Sequence, residues 1–318
     1  MRKSMVSEEC MLNLERMLKE MLVSEKSVLM TMEPMSRHTT FRIGGPAEFF
    51  AGPSNEKELS AIIRLCREYN VPWNILGNGS NLLVSDKGVE GVVIAMEQGW
   101  NYGRVQGSRL TAGAGLLLSR AAHLALEASL EGMEFAAGIP GTVGGALVMN
   151  AGAYGSEIKE VLESARLMTP QGEIFSLKAE DLKMGYRTSM IPEADCVALE
   201  AVFQLKLGKQ SEVENRMKDL AVRRRQKQPL EYPSAGSTFK RPYGYFAGKL
   251  IEDAGLRGYK MGGAQVSEKH CGFVINRDGA TATDVLNLCR HIQEKVKAAA
   301  GVDLEMEVKR WGDFSNTI

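Results

Sequence analysis

The chain has 318 residues, room for about two structural units at roughly 150 residues each, and its 39 Lys plus Arg balance 39 Asp plus Glu. Zero net charge excludes the positive surplus of a general nucleic-acid or membrane-surface binder, and 25% charged with 44% apolar residues excludes a mainly disordered or fibrous chain. The 33 glycines exceed the usual share of roughly 7% and concentrate in a few segments.

In chain order, Met11, Leu14, Leu18, Met21 and Leu22 fall at helical spacing and predict an amphipathic helix over 7–22, packed on the body. A strand is expected at 47–51, then a helix over 55–69 with Asn55 and Glu58 as a capping pair. Strands at 73–76 and 82–84 flank a glycine turn at 77–81, and further strands are expected at 91–96 and 109–113 before a helix over 116–130. Residues 135–156 carry no charge over 22 positions, but six glycines and Pro140 argue for packed loop and against a membrane span. Strands at 161–169 and 173–177 flank the turn Pro170-Gln171-Gly172, and 197–207 alternates as a half-buried strand. Beyond Gly208 the chain turns basic and helical to about 226, which sets a domain boundary near 208–211. Helices at 246–254 and 284–300 and strands at 272–276 and 302–308 complete an α+β chain. In the last strand Val302, Leu304, Met306 and Val308 share one face, leaving Asp303, Glu305 and Glu307 on the other.

Cysteines at 10, 66, 196, 271 and 289 make no C-x-x-C pair, and Glu8, Glu9 and Glu15 stand where the apolar core of an export signal would be. Free thiols in a reducing cytoplasm are the simplest expectation. Four histidines show no ligand spacing, so no metal centre is expected.

Two glycine segments could carry chemistry. Gly77-Asn78-Gly79-Ser80-Asn81 can present a run of backbone N–H groups to phosphate, although an isolated G-x-G is more often a tight turn. Leu82 stands where a dinucleotide fingerprint needs its third glycine, and Leu250 follows Gly248-Lys249 where a P-loop needs Ser or Thr. The apolar segment from Gly138 through Ile139, Pro140, Gly141, Thr142, Gly145 and Ala146 suits neither ordinary helix nor strand, and lets a flat or phosphorylated ligand approach backbone closely. Its alternative is a packing joint.

Three strings then carry a resemblance: His38-Thr39-Thr40-Phe41-Arg42-Ile43-Gly44-Gly45, Leu76-Gly77-Asn78-Gly79-Ser80-Asn81-Leu82-Leu83-Val84 and Gly138-Ile139-Pro140-Gly141-Thr142-Val143-Gly144-Gly145. With Gly185-Tyr186-Arg187-Thr188-Ser189, Ala235-Gly236-Ser237-Thr238-Phe239-Lys240, Ala247-Gly248-Lys249-Leu250-Ile251-Glu252 and Leu304-Glu305-Met306-Glu307-Val308, the chain resembles the UDP-N-acetylenolpyruvoylglucosamine reductase family over about 38–311.

The resemblance implies a vanillyl-alcohol-oxidase (PCMH-type) FAD domain of two subdomains at 31–208, a substrate-binding domain at 209–318, and a helical extension at 1–30. It implies non-covalent FAD held by the two glycine segments, NADPH as co-substrate, and a UDP-sugar whose enolpyruvyl group is reduced for peptidoglycan synthesis. Ser237 matches the proton donor, and Arg187 and Glu307 match the residues that polarise the substrate carboxylate and stabilise the enolate, with Glu305 a neighbouring alternative to Glu307. Lys227 matches a substrate-binding lysine and Lys240 is placed to do similar work, whereas Arg223 and Arg224 read as solvated helix-end charge. The short span from Arg187 to Ser237 resembles the family's form without a lid tyrosine, so Tyr232, Tyr243 and Tyr245 are candidates only. A monomer or weak oligomer without nucleic-acid or membrane partners is expected. The alternatives are another FAD oxidoreductase of the same fold, or a flavin-binding module without catalysis. Residues 206–260 hold thirteen Lys plus Arg against six Asp plus Glu, so overall neutrality averages a basic segment with an acidic remainder.

Overall fold

The computed structural model describes residues 8–315. The leader helix runs Glu8–Met21 and buries Leu14 and Leu18 against the main core; position 7 lies outside the described residues. A strand not expected from sequence, Val28–Pro34, follows it and pairs antiparallel with Pro46–Gly52. It crosses the division at residue 30, so only the preceding helix is an extension. Pro46–Gly52 and Trp73–Leu76 lie parallel on either side of Val89–Ala95, completing a four-stranded sheet.

A second sheet of five antiparallel strands takes the order Ile174–Lys178, Leu162–Met168, Val197–Gln204, Arg109–Gly113, Gly103–Gln106. Both sheets and the helices Glu56–Glu68 and Leu118–Glu127 contribute to one core, with Phe49, Ile62, Ile94, Leu118, Leu167 and Phe203 fully buried. This is the expected α+β architecture.

The uncharged segment 135–156 is not all loop. Thr142 accepts a hydrogen bond from Gly145 N–H and caps a helix at Val143–Met149, whose Val143, Ala146 and Leu147 are buried. Tertiary burial and the cap override the poor helix propensity of its glycines. No helix among the described residues is long and apolar enough to cross a membrane.

The boundary expected near 208–211 also moves. The helix Gln210–Lys227, here the linker helix, buries Val213 and Met217 in the first core, so this basic segment stays with the first unit. The second unit begins beyond it. Its strands Lys260–Met261, Ala264–Val266 and Val274–Asn276 form an antiparallel sheet beneath the helix Ala282–Ala300. Phe41, Ile43 and Leu83 of the first unit enter its core.

The strand expected at 302–308 differs as well. Leu304 and Val308 point inward as the alternation requires, but among the described residues the segment makes a single bridge, Met306 to Phe239. The ladder forms three residues later, where Lys309–Trp311 pairs parallel with Leu82–Val84. The units are clamped again where Asp86 accepts hydrogen bonds from Ala282 N–H (2.7 Å) and Thr283 N–H (2.9 Å) at the N-terminus of Ala282–Ala300.

Asn55 caps Glu56–Glu68 by accepting from Glu58 N–H at 3.1 Å, but the Glu58 carboxylate does not return to Asn55. Only 3% exposed, it accepts from Ser24 N–H (2.9 Å), Ser54 N–H (2.9 Å) and the hydroxyls of Ser27 and Ser54, tying the end of the leader helix to the core. Burial pushes its pKa up, yet these donors outweigh burial and leave it below the usual carboxylate value. Glu58→Gln should therefore cost about 1–3 kcal/mol of unfolding free energy at pH 7, measured by urea titration. A depressed folded-state pKa gives stability that is present above the unfolded value of about 4.3 and is lost as pH falls through the folded value. The difference between the two proteins should shrink across that acid window; equal midpoints at pH 7 would contradict the clamp.

Candidate active site

The first glycine segment, residues 77–81, leaves the end of strand Trp73–Leu76 and re-enters the fold as Leu82–Val84. Gly79 has φ +59°, and a Cβ there would fall 2.0 Å from the His38 carbonyl oxygen, so only glycine fits. None of the backbone N–H groups of 77–81 has an acceptor among the described residues. These donors lie against the second glycine segment: the Asn78 amide donates to the Pro140 carbonyl, a Cβ on Gly77 would meet Thr142 Oγ1, and one on Gly141 would meet Ser80 Oγ at 3.5 Å. Unclaimed amides on a double glycine cradle suit a diphosphate, whose oxygens accept from backbone N–H. In the second segment Gly138, Ile139, Pro140 and Gly141 border the cradle. The amides of Gly145 and Ala146 are already used by Thr142 within the helix and are not free donors; Gly145 is exposed and Ala146 buried.

Asn150 ends that helix in the left-handed region at φ +41° and is fully buried. Its amide donates to Glu157 Oε2 (2.9 Å) and to the Gly185 carbonyl (3.1 Å), and its oxygen accepts from Lys159 N–H (3.0 Å). This fixes the turn that presents Arg187, itself left-handed at φ +57°, a conformation that costs about 1–3 kcal/mol for a non-glycine residue. Sequence reading missed Asn150 as a positioning residue; an asparagine directly after a capped helix was the available signal.

Arg187 Nε lies 2.7 Å from Glu307 Oε1 but lacks the alignment of a hydrogen bond, so this donor is buried and unsatisfied. The Glu307 side chain is only 11% exposed. Burial raises its pKa, and the attraction of Arg187, Lys240 and Lys309 only partly offsets that. The structure thereby separates two glutamates that alternation placed on one face. Glu305 is 71% exposed and held by Lys240 at 2.5 Å.

Ser237 is placed by the next turn of chain. Glu307 N–H donates to the Thr238 carbonyl and Lys240 N–H to the Glu305 carbonyl, laying 238–240 against 305–307. Asn81 donates its amide to the Glu307 carbonyl at 3.2 Å, and its own carbonyl accepts from Lys309 N–H. The glycine cradle and the acidic segment are therefore neighbours.

Arg187, Ser237 and Glu307 line one cavity of about 380 Å³, together with Tyr186, Arg241, Phe246, Arg257 and His270. His270 accepts from Gly272 N–H through Nδ1, and burial lowers its pKa, keeping it neutral. Neither predicted substrate lysine lines the cavity: Lys240 is engaged by Glu305, and Lys227 is exposed at the end of the linker helix. Tyr232, Tyr243 and Tyr245 do not line it either; its aromatic residues are Tyr186, Phe239 and Phe246. Arg241 does line it, with its guanidinium 4.0 Å over the Phe246 ring. Cys66, Cys196, Cys271 and Cys289 are free thiols; the Cys10 side chain lies outside the described residues.

Residues 47–178 match the family model "FAD binding domain", and residues 228–311 match "UDP-N-acetylenolpyruvoylglucosamine reductase, C-terminal domain". The chain is 51% identical to the UDP-N-acetylenolpyruvoylglucosamine reductase of Agathobacter rectalis, over 90% of this chain and 95% of that protein. The crystal structure of the Thermus caldophilus UDP-N-acetylenolpyruvylglucosamine reductase superposes with a TM-score of 0.77 at 34% identity, covering 90% of this chain and 99% of that one. A 4-ethylphenol oxidase from Gulosibacter chungangensis shares the fold at TM-score 0.50 and 14% identity, over 64% of this chain and 44% of its own.

Two glycines with the same backbone twist separate conformational strain from collision. Gly79→Ala should cut FAD retention at least tenfold, measured by titrating apoprotein with FAD. Gly107→Ala, at φ +60° with nothing within 4 Å, should leave retention unchanged. Equal losses would show that the cradle's close approach is not what matters.

Proposed function

The chain belongs to the UDP-N-acetylenolpyruvoylglucosamine reductase family, and from that premise we propose an NADPH-dependent reduction at the cavity of Arg187, Ser237 and Glu307. The family's enzymes are FAD-dependent reductases of peptidoglycan precursor synthesis, and the FAD-binding and C-terminal family domains are both present here. The substrate is the enolpyruvyl ether of UDP-N-acetylglucosamine and the product UDP-N-acetylmuramate. FAD, when bound, supplies the hydride that reaches C3 of the enolpyruvyl group, and NADPH replenishes it.

The rest falls to the protein. Arg187 offers the planar fork that pairs with the substrate carboxylate. Its Nε, ion-paired with Glu307 but without an aligned hydrogen bond, turns to the substrate carboxylate when substrate arrives. Once Arg187 is so engaged, Glu307 loses part of its counter-charge while staying buried, which favours its protonated form. A protonated Glu307 donates a hydrogen bond to the charge growing on the enolate. Ser237, beside Glu307 on the paired segment, delivers a proton to C2. The observation that carries this reading is the convergence of Arg187, Glu307 and Ser237 in one cavity that Asn81 joins to the glycine cradle.

On this reading the cofactor unit runs from residue 28 through the linker helix and the substrate unit from 228 onward. Lys227, exposed at their junction, meets the phosphates of the arriving nucleotide.

Anaerobic stopped-flow measurements separate the two half-reactions. Ser237→Ala should reduce the flavin with NADPH at nearly the normal rate and slow its reoxidation by substrate about 10²–10⁴-fold. Equal slowing of both halves would remove Ser237 from the proton step. For Glu307 the pH profile is informative. The acid form donates, so reoxidation should fall as pH rises through its elevated pKa. Glu307→Gln keeps a donor at every pH and should lack that alkaline fall; an unchanged limb in this variant would assign the titration elsewhere.

A further inference from the structure

The linker helix carries a charge where its own periodicity calls for an apolar side chain. Val213 and Met217 are buried, Leu220 is half-buried, and Arg224 continues the same stripe at helical spacing. Sequence reading left Arg224 as solvated helix-end charge. The structure half-buries it, with enough desolvation to push even a guanidinium below its usual pKa. On the same helix Arg223 pairs with Asp219 at 2.8 Å and Lys218 with Glu214 at 2.7 Å, while Arg225 and Lys227 have no salt bridge among the described residues but are exposed to solvent. Arg224 has no carboxylate partner among the described residues. A desolvated, uncompensated cation is unfavourable unless something anionic completes it.

The position of that anion follows from Gly138. A Cβ there would lie 3.0 Å from Arg224 Cδ and 3.1 Å from Nη1, so the guanidinium rests directly on the glycine backbone. Gly138 opens the second segment of the cradle, which abuts the unclaimed amides of 77–81 through Asn78 and Pro140. Neither 77–81 nor 138–142 contains a formal charge. The cradle offers dipoles but no counter-ion. Its Asn81 end opens toward the cavity of Arg187 and Glu307, and Gly138 begins the other segment, where Arg224 stands.

We infer that Arg224 is the counter-cation of the diphosphate of FAD, supplied to the cradle from the linker helix. This rests on the flavoenzyme reading. Lys227, three residues on and exposed, is left to the arriving nucleotide, so two basic residues on one stripe serve two different anions. The linker helix, which neither family model covers, becomes part of the cofactor site.

The test titrates full-length apoprotein of wild type, Arg224→Met and Arg224→Lys with FAD and with riboflavin, which lacks the diphosphate, following flavin fluorescence. Arg224→Met should weaken FAD about 10–100-fold, the range for loss of a charge-assisted contact, with riboflavin affinity unchanged and Arg224→Lys intermediate. The FAD affinity of wild type should also fall with salt more steeply than that of Arg224→Met. Unchanged FAD affinity in Arg224→Met overturns the inference, as does an equal loss for riboflavin, which would indicate general damage to the site. A raised KM for NADPH or the UDP-sugar with normal FAD affinity would move Arg224 to the second nucleotide and equally overturn it. Failure of wild type itself to bind FAD would remove the flavoenzyme premise, and shows before any substitution is made.

Discussion

The parallel pairing of Lys309–Trp311 with Leu82–Val84 is the constraint on which the site depends. It joins the end of the chain to the strand that leaves the first glycine segment, and so sets Glu307 beside Asn81 across a sequence separation of 226 residues. Leu83, fully buried from this strand, packs with Phe41 and Ile43 into the second unit's core, and Asp86 beyond it caps Ala282–Ala300. Cofactor cradle and acidic segment are thus fixed by ladder hydrogen bonds, shared core and helix cap together. Such redundancy suits a reaction in which a misplacement of about 1 Å can cost about 10²-fold in rate.

Around this seam the charges are arranged by what surrounds them, and net charge says little. The cradle carries no formal charge and works through backbone dipoles, leaving compensation to side chains brought from elsewhere. Arg187 is held in a strained left-handed conformation by the turn that Asn150 braces, and it approaches Glu307 without satisfying its own Nε. Glu307 is buried enough to resist ionisation despite that neighbour.

Much of this was legible in the sequence, because the first unit's strands and helices follow periodicity closely. What escaped did so for physical reasons. Val28–Pro34 has no clean alternation, and Met32, at φ +53°, is left unpaired within an otherwise constant register with Pro46–Gly52, so no period marks the strand. Val143–Met149 forms against propensity through its Thr142 cap and buried face. The alternation over 302–308 predicts which side chains turn inward but not which backbone they pair with. It also cannot distinguish Glu305 from Glu307, two residues apart; the packing of Lys240 and Arg187 makes that choice. The three positions proposed as catalytic came from motif resemblance, and folding gathers them in one cavity. Asn150 and Arg224 went unread because their significance lies in tertiary partners, present for one and lacking for the other.

The most direct measurement is a crystal structure of the FAD-loaded protein with the enolpyruvyl sugar nucleotide. The expected result places the FAD diphosphate on the amides of 77–81 and the substrate carboxylate on Arg187. Ser237 Oγ should stand about 3–3.5 Å from C2, on the face of the double bond opposite the flavin. A flavin diphosphate away from the glycine cradle, or a substrate whose C2 faces away from Ser237, would contradict this arrangement.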